Sequence, residues 1–181
     1  MKGLKKIFYF HNRQKNGVSF AKLLCELALL AIPLCTVFSQ EKLDVQKVLK
    51  KGNYKASDLM IAVPGQNFSI LATEVTQELY ESVMGENPSE FKGKKNLPVE
   101  NVSWIDAVEF CNKLSVKEGL NPCYSYKKST NADEWDLDND EMSDWPENKW
   151  KPFNKNFVCD TTADGYRLPT VAEWQWAAMG G

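Results

Sequence analysis

The last seventeen residues, 165–181, constrain the fold more than any other stretch of the chain. They read as a strand end, a turn at Pro169 and one short helix that begins with a Thr-x-x-Glu capping box at Thr170. Trp174 and Trp176 lie on that helix. Because a helix of about three turns is not stable alone in water, another part of the domain must cover its apolar side chains.

Three motifs occur in an order that is typical of one known family. Residues 74–89 run from EVTQ to NPS, residues 98–112 run from PVENVSW to FCN, and residues 167–181 read RLPTVAEWQWAAMGG. Together they resemble the formylglycine-generating enzyme family, also called sulfatase-modifying factors. The resemblance covers residues 59–181 and corresponds to the N-terminal half of such a domain. It implies an α+β class, the irregular formylglycine-generating-enzyme fold related to C-type lectins, incomplete at the C-terminus.

Residues 1–39 differ in composition from the rest of the chain. Six lysines and arginines precede or flank an unbroken apolar run of twelve residues, Leu27–Phe38, and Val37 and Ser39 stand before a cleavage point ahead of Gln40. This pattern is typical of a signal peptide. The run is shorter than the roughly 20 residues of a transmembrane helix, and an uncleaved anchor is the alternative. We predict an exported protein (periplasmic, cell-surface or secreted) that meets a membrane only through an uncleaved leader.

Short elements are predicted along the remaining chain. Residues 40–58 form a polar, lysine-rich lead-in with a loosely helical pattern, and strands are expected at 59–64 and 68–72. Helices are expected at 77–84 and 104–118, each entered, like the last helix, through a hydroxyl N-cap. The residues expected to face the core are Ala107, Val108, Cys111 and Leu114 on the longest helix, and Phe91 in the preceding loop.

Charge and histidine content exclude several classes of function. Cleavage of the leader leaves sixteen basic and twenty-three acidic residues, a net charge of −7. Such a composition lacks the excess of basic residues that phosphate contacts require, so we predict no nucleic-acid partner. The single histidine, His11, lies in the leader. Residues 40–181 therefore cannot supply Ser-His or Cys-His catalysis or a histidine metal site.

Three cysteines lie beyond the leader, at Cys111, Cys123 and Cys159, without a Cys-x-x-Cys spacing. Zinc-knuckle and redox motifs are therefore not supported. Residues 121–126 read as the start of a hairpin whose return strand is 157–160. If these strands pair, Cys123 and Cys159 come near enough for a disulfide, and two buried free thiols are an equal alternative. Cys111 is read as a small buried hydrophobe.

Between the two hairpin strands lies an acidic stretch that also contains tryptophan. Five acidic residues fall on positions 1, 3, 5, 9 and 12 of a calcium-binding loop: Asp136, Asp138, Asp140, Asp144 and Glu147. Glu141 stands where the loop glycine belongs, Ser143 replaces an aliphatic residue, and Pro146 disrupts the exiting helix. An acidic solvent loop is the better interpretation, with calcium as a weak alternative.

The resemblance also bears on chemistry. It implies that the family's enzymes use paired cysteines and a copper(I) ion to oxidise a substrate cysteine. It further implies that those cysteines and the family's calcium ligands lie in the C-terminal half, which residues 59–181 do not include. We therefore assign no catalytic residue and no cofactor to this chain, and expect copper only if a C-terminal half exists.

Three interpretations of function follow. The chain is part of a longer family enzyme, a non-catalytic exported protein that binds an unknown protein or small-molecule ligand as C-type lectins do, or a fragment without function. The same motifs predict that Trp174 and Trp176 are partly uncovered. An apolar patch of that kind predicts marginal stability and aggregation.

Overall fold

The structure is a computed structural model that describes the backbone of residues 10–12, and residues 43–135 and 156–180 in full. Within these ranges the fold is mixed α+β, with small antiparallel sheets, which confirms the predicted class. No helix in the described ranges is long and apolar enough to cross a membrane.

Among the described residues the elements are short, and the longest is the third α-helix with fourteen residues. The strands are β1 (Phe10–Asn12), β2 (Met60–Ala62), β3 (Phe68–Leu71), β4 (Tyr124–Tyr126), β5 (Phe157–Cys159) and β6 (Tyr166–Arg167). The α-helices are α1 (Val45–Lys51), α2 (Gln77–Met84), α3 (Trp104–Lys117) and α4 (Val171–Ala178), and 3-10 helices span Ala56–Leu59 and Ala132–Glu134.

The larger sheet has the strand order β2-β3-β1-β6, with antiparallel pairing throughout. The strand β1 is bonded on both sides, with Phe10 opposite Ile70 of β3 and opposite Arg167 of β6. The sequence predicts β2 and β3 but no strand within residues 1–39. Because β1 lies inside the predicted leader, its place in the sheet depends on whether that leader is retained.

The larger sheet separates two apolar clusters, and we call its two faces the α3 side and the α4 side. Leu71 and Tyr166 belong to the main core on the α3 side. Phe68 and Ile70, which alternate with Leu71 along β3, lie on the opposite side, where Ala177 of α4 packs against their cluster.

The helices begin and end where the sequence predicts. Thr76 Oγ1 accepts a hydrogen bond from the Leu79 N–H and so caps α2, and Gly85 ends that helix in the left-handed conformation at φ 82°. Ser103 and Asp106 form the capping box of α3. The four residues expected to face inward from α3 are all buried: Ala107, Val108, Cys111 and Leu114.

Buried polar side chains fasten α3 to the strands. Asn112 Nδ2 donates to the carbonyl oxygens of Tyr124 and Thr130 at 2.7 and 2.9 Å, and Asn112 Oδ1 accepts from the Tyr124 N–H at 3.1 Å. Ser115 Oγ accepts from the Tyr166 N–H at 2.8 Å. These bonds satisfy backbone groups of β4, of the loop that follows it and of β6, so they fix both strands against the helix.

Gly165, directly before β6, lies in close contact with Ser115 of α3 and with Asn121. A Cβ at this position would stand 2.2 Å from the Asn121 carbonyl oxygen and 2.7 Å from Ser115 Oγ. Only glycine allows the backbone to come this near, and the hydrogen bond from Tyr166 to Ser115 depends on that approach.

The predicted hairpin is confirmed. The strands β4 and β5 pair antiparallel, with Tyr124 opposite Cys159 and Tyr126 opposite Phe157. The Phe157 ring is met edge-on by the rings of Trp104 and Trp135, with centroids 5.4 and 5.3 Å away. This aromatic cluster covers the base of the hairpin and joins it to the start of α3.

The expectation that Phe91 fills the core is wrong, since its side chain is 69% exposed. The buried group nearby is Gln77, whose Nε2 donates to the carbonyl oxygens of Phe91 and Pro98 at 3.0 and 3.2 Å. Glu100 Oε1 accepts from the Phe91 N–H at 2.8 Å. The loop is held through its backbone by polar side chains, and this arrangement leaves the aromatic ring in solvent.

Candidate functional site

The helix α4 is joined to β6 by one ion pair. Arg167 Nη1 and Nη2 donate to the two carboxylate oxygens of Glu173 at 2.9 and 2.6 Å. The Arg167 side chain is 7% exposed and that of Glu173 is 20% exposed. Glu173 also accepts from the Thr170 N–H at 2.8 Å and completes the predicted capping box. A two-pronged pair of this kind fixes the direction in which α4 leaves the sheet.

Pairing of Arg167 with Glu173 shifts the pKa of each side chain in the direction that favours its charged form. The hydrogen bonds from Arg167 lower the pKa of Glu173 to about 2, against the opposing effect of burial, and the Thr170 N–H adds to the lowering. The same pairing raises the pKa of Arg167. The pair is therefore charged at neutral pH.

Four apolar side chains of α4 and its C-cap are exposed, and we call them together the α4 face: Val171, Trp174, Trp176 and Met179. Trp174 and Trp176 are two positions apart on the helix, so their side chains project in different directions. Trp174 and Trp176 are 43% and 42% exposed, and no described residue of α4 is buried. Trp176 Nε1 donates to the Pro64 carbonyl oxygen at 3.3 Å, which ties the helix to the turn between β2 and β3. The prediction that both tryptophans are partly uncovered is confirmed.

One further apolar side chain extends this surface onto the sheet. Ile61 of β2 is exposed and stands opposite Ile70 in the strand pairing. Directly opposed residues of an antiparallel pair share a face, so Ile61 lies on the α4 side. The α4 side of the sheet therefore also exposes an apolar side chain on its edge strand.

The three thiols of the described residues are free and poorly suited to thiolate chemistry. Burial raises the pKa of Cys111 well above its usual value and that of Cys123 to about 12. Burial also raises the pKa of Cys159, although Arg167 and Tyr124 partly oppose it. Because the thiolate is both the nucleophile and the metal ligand, these residues are held in the unreactive form at neutral pH.

The strand register bears on the predicted bridge between Cys123 and Cys159. Cys159 is directly opposite Tyr124, while the carbonyl oxygen of Cys123 accepts from the Asp160 N–H at 2.7 Å. The register thus gives Cys159 the face of Tyr124 and not that of Cys123. Both are free thiols here, and the bridge stays a prediction.

The described residues contain no group of three or more Cys, His, Asp or Glu side chains able to hold a metal ion. The weak calcium candidates, which run from Asp136 to Glu147, lie outside the described residues.

A shallow groove of about 240 Å³ lies between the lead-in and α2. It is lined by Asn53, Tyr54, Glu78, Leu79, Glu81, Ser82 and Lys95. Glu78 Oε1 already accepts from the Asn53 N–H at 3.2 Å, and the Tyr54 hydroxyl is hydrogen-bonded to Thr76 Oγ1. Its volume falls below the roughly 300 Å³ at which small-molecule pockets begin.

Two features of the site were missed from the sequence. The capping box predicts the role of Glu173, but the pairing with Arg167 crosses a proline turn and follows no helical spacing. The closely packed Gly165 is one of ten glycines, and nothing in its local sequence distinguishes it. An arginine two residues before the Pro-Thr start of the capping box was the only available signal for the ion pair.

Comparison with known proteins gives consistent results. The model of the sulfatase-modifying factor enzyme 1-like domain matches residues 40–181. A protein named chaperone protein LppX, from Paenibacillus barcinonensis, is 44% identical over 115 residues, which cover 64% of this chain and 37% of that protein. The solved structure of Treponema denticola variable protein 1 is 41% identical and covers 62% of this chain and 42% of that one, with a TM-score of 0.49. The chain thus spans about two fifths of the length of these relatives.

Proposed function

The chain belongs to the sulfatase-modifying factor enzyme 1-like domain family, and on that premise we propose that residues 40–181 act as a non-catalytic, exported domain that binds another polypeptide. The observation that carries this proposal is the α4 face. Two tryptophans are held about two fifths exposed on a helix whose direction is fixed by a buried ion pair. Rigidly supported aromatic side chains are the residues that dominate protein–protein binding energy.

The name of one relative supports a polypeptide ligand. The Paenibacillus barcinonensis protein is called a chaperone, and an exposed apolar surface on a folded support is what a chaperone needs to hold an unfolded chain. The polar groove beside α2 is the candidate for a small-molecule ligand, but it is small and its acidic oxygen is already hydrogen-bonded. The polypeptide is therefore the better-supported partner.

The formylglycine-generating oxidase is the second candidate, since the family includes that activity. The three described thiols disfavour oxidase activity in this part of the chain. Each has a raised pKa, whereas copper(I) binds the thiolate form. Export is supported by the leader, whose basic residues precede a twelve-residue apolar run.

A binding experiment on the full chain tests the proposal. The probe is fluorescein-labelled, reduced and carboxymethylated lactalbumin, a permanently unfolded polypeptide, and the readout is fluorescence anisotropy. Replacing Trp174 and Trp176 by serine should weaken binding by about tenfold or more. Val116→Ser is the matched control, because Val116 is also an exposed apolar residue but lies on α3.

Equal affinity of the double variant and the parent chain would refute the proposal. A separate arm incubates the full chain with copper(I) and a cysteine-containing peptide, and analyses the peptide by mass spectrometry. Formation of formylglycine there would establish the oxidase instead.

A further inference from the structure

The connector between β6 and α4 is held to the hairpin β4–β5 by a tyrosine hydroxyl. Leu168 directly follows β6, and its N–H donates to Tyr124 Oη at 3.0 Å, over a separation of 44 residues. The ion pair of Arg167 with Glu173 links α4 to the larger sheet, whereas this bond links the start of α4 to the smaller sheet. The place at which α4 leaves the fold is therefore set by contacts to both sheets.

Tyr124 is itself held in one position. It is 4% exposed, and its backbone N–H and carbonyl oxygen are both bonded to the side chain of Asn112 on α3. Its ring meets the Trp104 ring edge-on, with centroids 6.4 Å apart. The hydroxyl is also hydrogen-bonded to the thiol of Cys159, the residue opposite on β5. When the hydroxyl donates its proton to this sulfur, its oxygen is left to accept from Leu168.

The residues after Leu168 make this bond important for the course of the chain. Pro169 has no N–H and a fixed φ, and it restricts Leu168 to extended conformations. Thr170 then caps α4. Since little backbone freedom remains between the bonded N–H and the cap, the position of the Tyr124 hydroxyl determines where the first turn of α4 lies.

We propose that Tyr124 is a positioning residue for the α4 face: its hydroxyl holds the start of α4 so that Trp174 and Trp176 keep the placement that binds a polypeptide. The proposal rests on the proposed function and adds to it a buried residue that lies outside α4. Without the hydroxyl, the Leu168 N–H loses its partner and the connector samples other conformations. Only the fraction of molecules with α4 in place then binds, and the apparent affinity falls in proportion to that fraction.

The test compares Tyr124→Phe with Tyr166→Phe in the full chain. Both changes remove a hydrogen-bonded hydroxyl from a buried tyrosine, but the Tyr166 hydroxyl bonds to Glu118 at the end of α3. Tyr124→Phe should weaken binding of fluorescein-labelled, carboxymethylated lactalbumin about fivefold in fluorescence anisotropy. Its α4 amides should also undergo hydrogen exchange about fivefold faster relative to its α3 amides. Tyr166→Phe should leave the affinity and this exchange ratio unchanged.

Global unfolding is separated from this effect by the α3 amides and by a second variant. Cys159→Ala removes the sulfur to which the Tyr124 hydroxyl is bonded and keeps the hydroxyl itself. It should weaken binding about twofold, less than Tyr124→Phe does. If Tyr124→Phe loses its α3 protection, Cys159→Ala decides, and unchanged affinity in that variant would overturn the proposal. An equal loss of affinity in Tyr124→Phe and Tyr166→Phe would also overturn it.

The two proposals fail separately in this design. If the parent chain does not bind carboxymethylated lactalbumin, the proposed function is refuted, and the role of Tyr124 in binding is refuted with it. If the parent chain binds and Tyr124→Phe binds equally well, polypeptide binding stands and the positioning role is overturned. Faster exchange of α4 without a change in affinity would have the same meaning, because the ligand would then not depend on the placement of α4.

Discussion

The α3 side and the α4 side of the larger sheet are built in different ways. On the α3 side, Asn112, Ser115 and Gly165 lock helix and strands together through buried hydrogen bonds and a backbone contact that leaves no room for a side chain. On the α4 side, the helix contributes no buried residue, and its described contacts include the ion pair from Arg167, a bond from Trp176 and the packing of Ala177. The buried polar contacts are therefore concentrated on the α3 side, and the α4 side is the surface that we propose binds a polypeptide.

The largest effect should come from filling the space at Gly165. Gly165→Val places atoms where the Asn121 carbonyl oxygen and Ser115 Oγ already lie, so we expect a loss of more than about 3 kcal/mol in the free energy of unfolding. Gly65→Ala is the control, with open space but φ of +73°, and should cost only about 1 kcal/mol. Urea unfolding measures both, and equal losses would show that the α3 side is not tightly packed at this point.

Removing the Asn112 amide should have the next largest effect. Asn112→Leu keeps the side-chain volume but leaves buried backbone groups of Tyr124 and Thr130 without their partner, at a cost of about 3 kcal/mol. Asn131→Ala, which removes the cap of an exposed 3-10 helix, should cost about 1 kcal/mol or less. A smaller loss for Asn112→Leu than for the control would contradict the role assigned to these bonds.

The stability contributed by the ion pair between Arg167 and Glu173 should decrease at acidic pH. The folded-state pKa of Glu173 is lowered from 4.5 to about 2, so its contribution to stability is complete above pH 4.5 and is lost as the pH falls towards 2. Glu173→Gln should cost about 2 kcal/mol at pH 7 and remove this part of the acid dependence. Glu109→Gln, which breaks a surface pair with Lys113, should cost under about 0.5 kcal/mol.

Urea midpoints at pH 7 and pH 3 distinguish these cases for Glu173. If the parent and Glu173→Gln lose the same stability between the two pH values, the ion pair does not hold α4.

The smallest effect on stability is expected on the α4 face itself. Trp176→Ser should change the free energy of unfolding by less than about 1 kcal/mol, because the ring is partly exposed and its one described hydrogen bond is at the surface. The same change should raise the concentration at which light scattering detects aggregates. A loss above about 2 kcal/mol would show that Trp176 is part of a core rather than of a binding surface.

The sequence predicted the α3 side well because its signals are local. Hydroxyl caps, helical spacing and a terminal glycine define α2 and α3, and the inward residues of α3 follow from the same spacing. The hairpin followed from two short β-rich runs. For the helices, residues close in the chain also determine the contacts, so one sequence is enough.

The exposure of Phe91 and the strand β1 were not predicted, because they depend on contacts between residues that are far apart in the chain. Phe91 is apolar, yet Gln77 takes the buried position because its amide satisfies backbone carbonyls of a loop. The pairing of β1 with β3 joins residues about sixty positions apart, and residues 1–39 carry the stronger pattern of a leader. Residues 10–12 form a strand but lie within the predicted leader, and their sequence shows only the leader pattern.

Glu118, the residue that follows α3, sets an order of assembly for the growing chain. One of its carboxylate oxygens accepts from the Ala56 N–H and the other from the Tyr166 hydroxyl, each at 2.7 Å, over separations of 62 and 48 residues. During synthesis from the N-terminus, the bond between Glu118 and Ala56 can form once residue 118 is made. The bond between Glu118 and Tyr166 can form only about fifty residues later. We expect α3 and the segment around Ala56 to form a protease-resistant intermediate in chains stalled near residue 140, and uniform digestion of such chains would contradict this order.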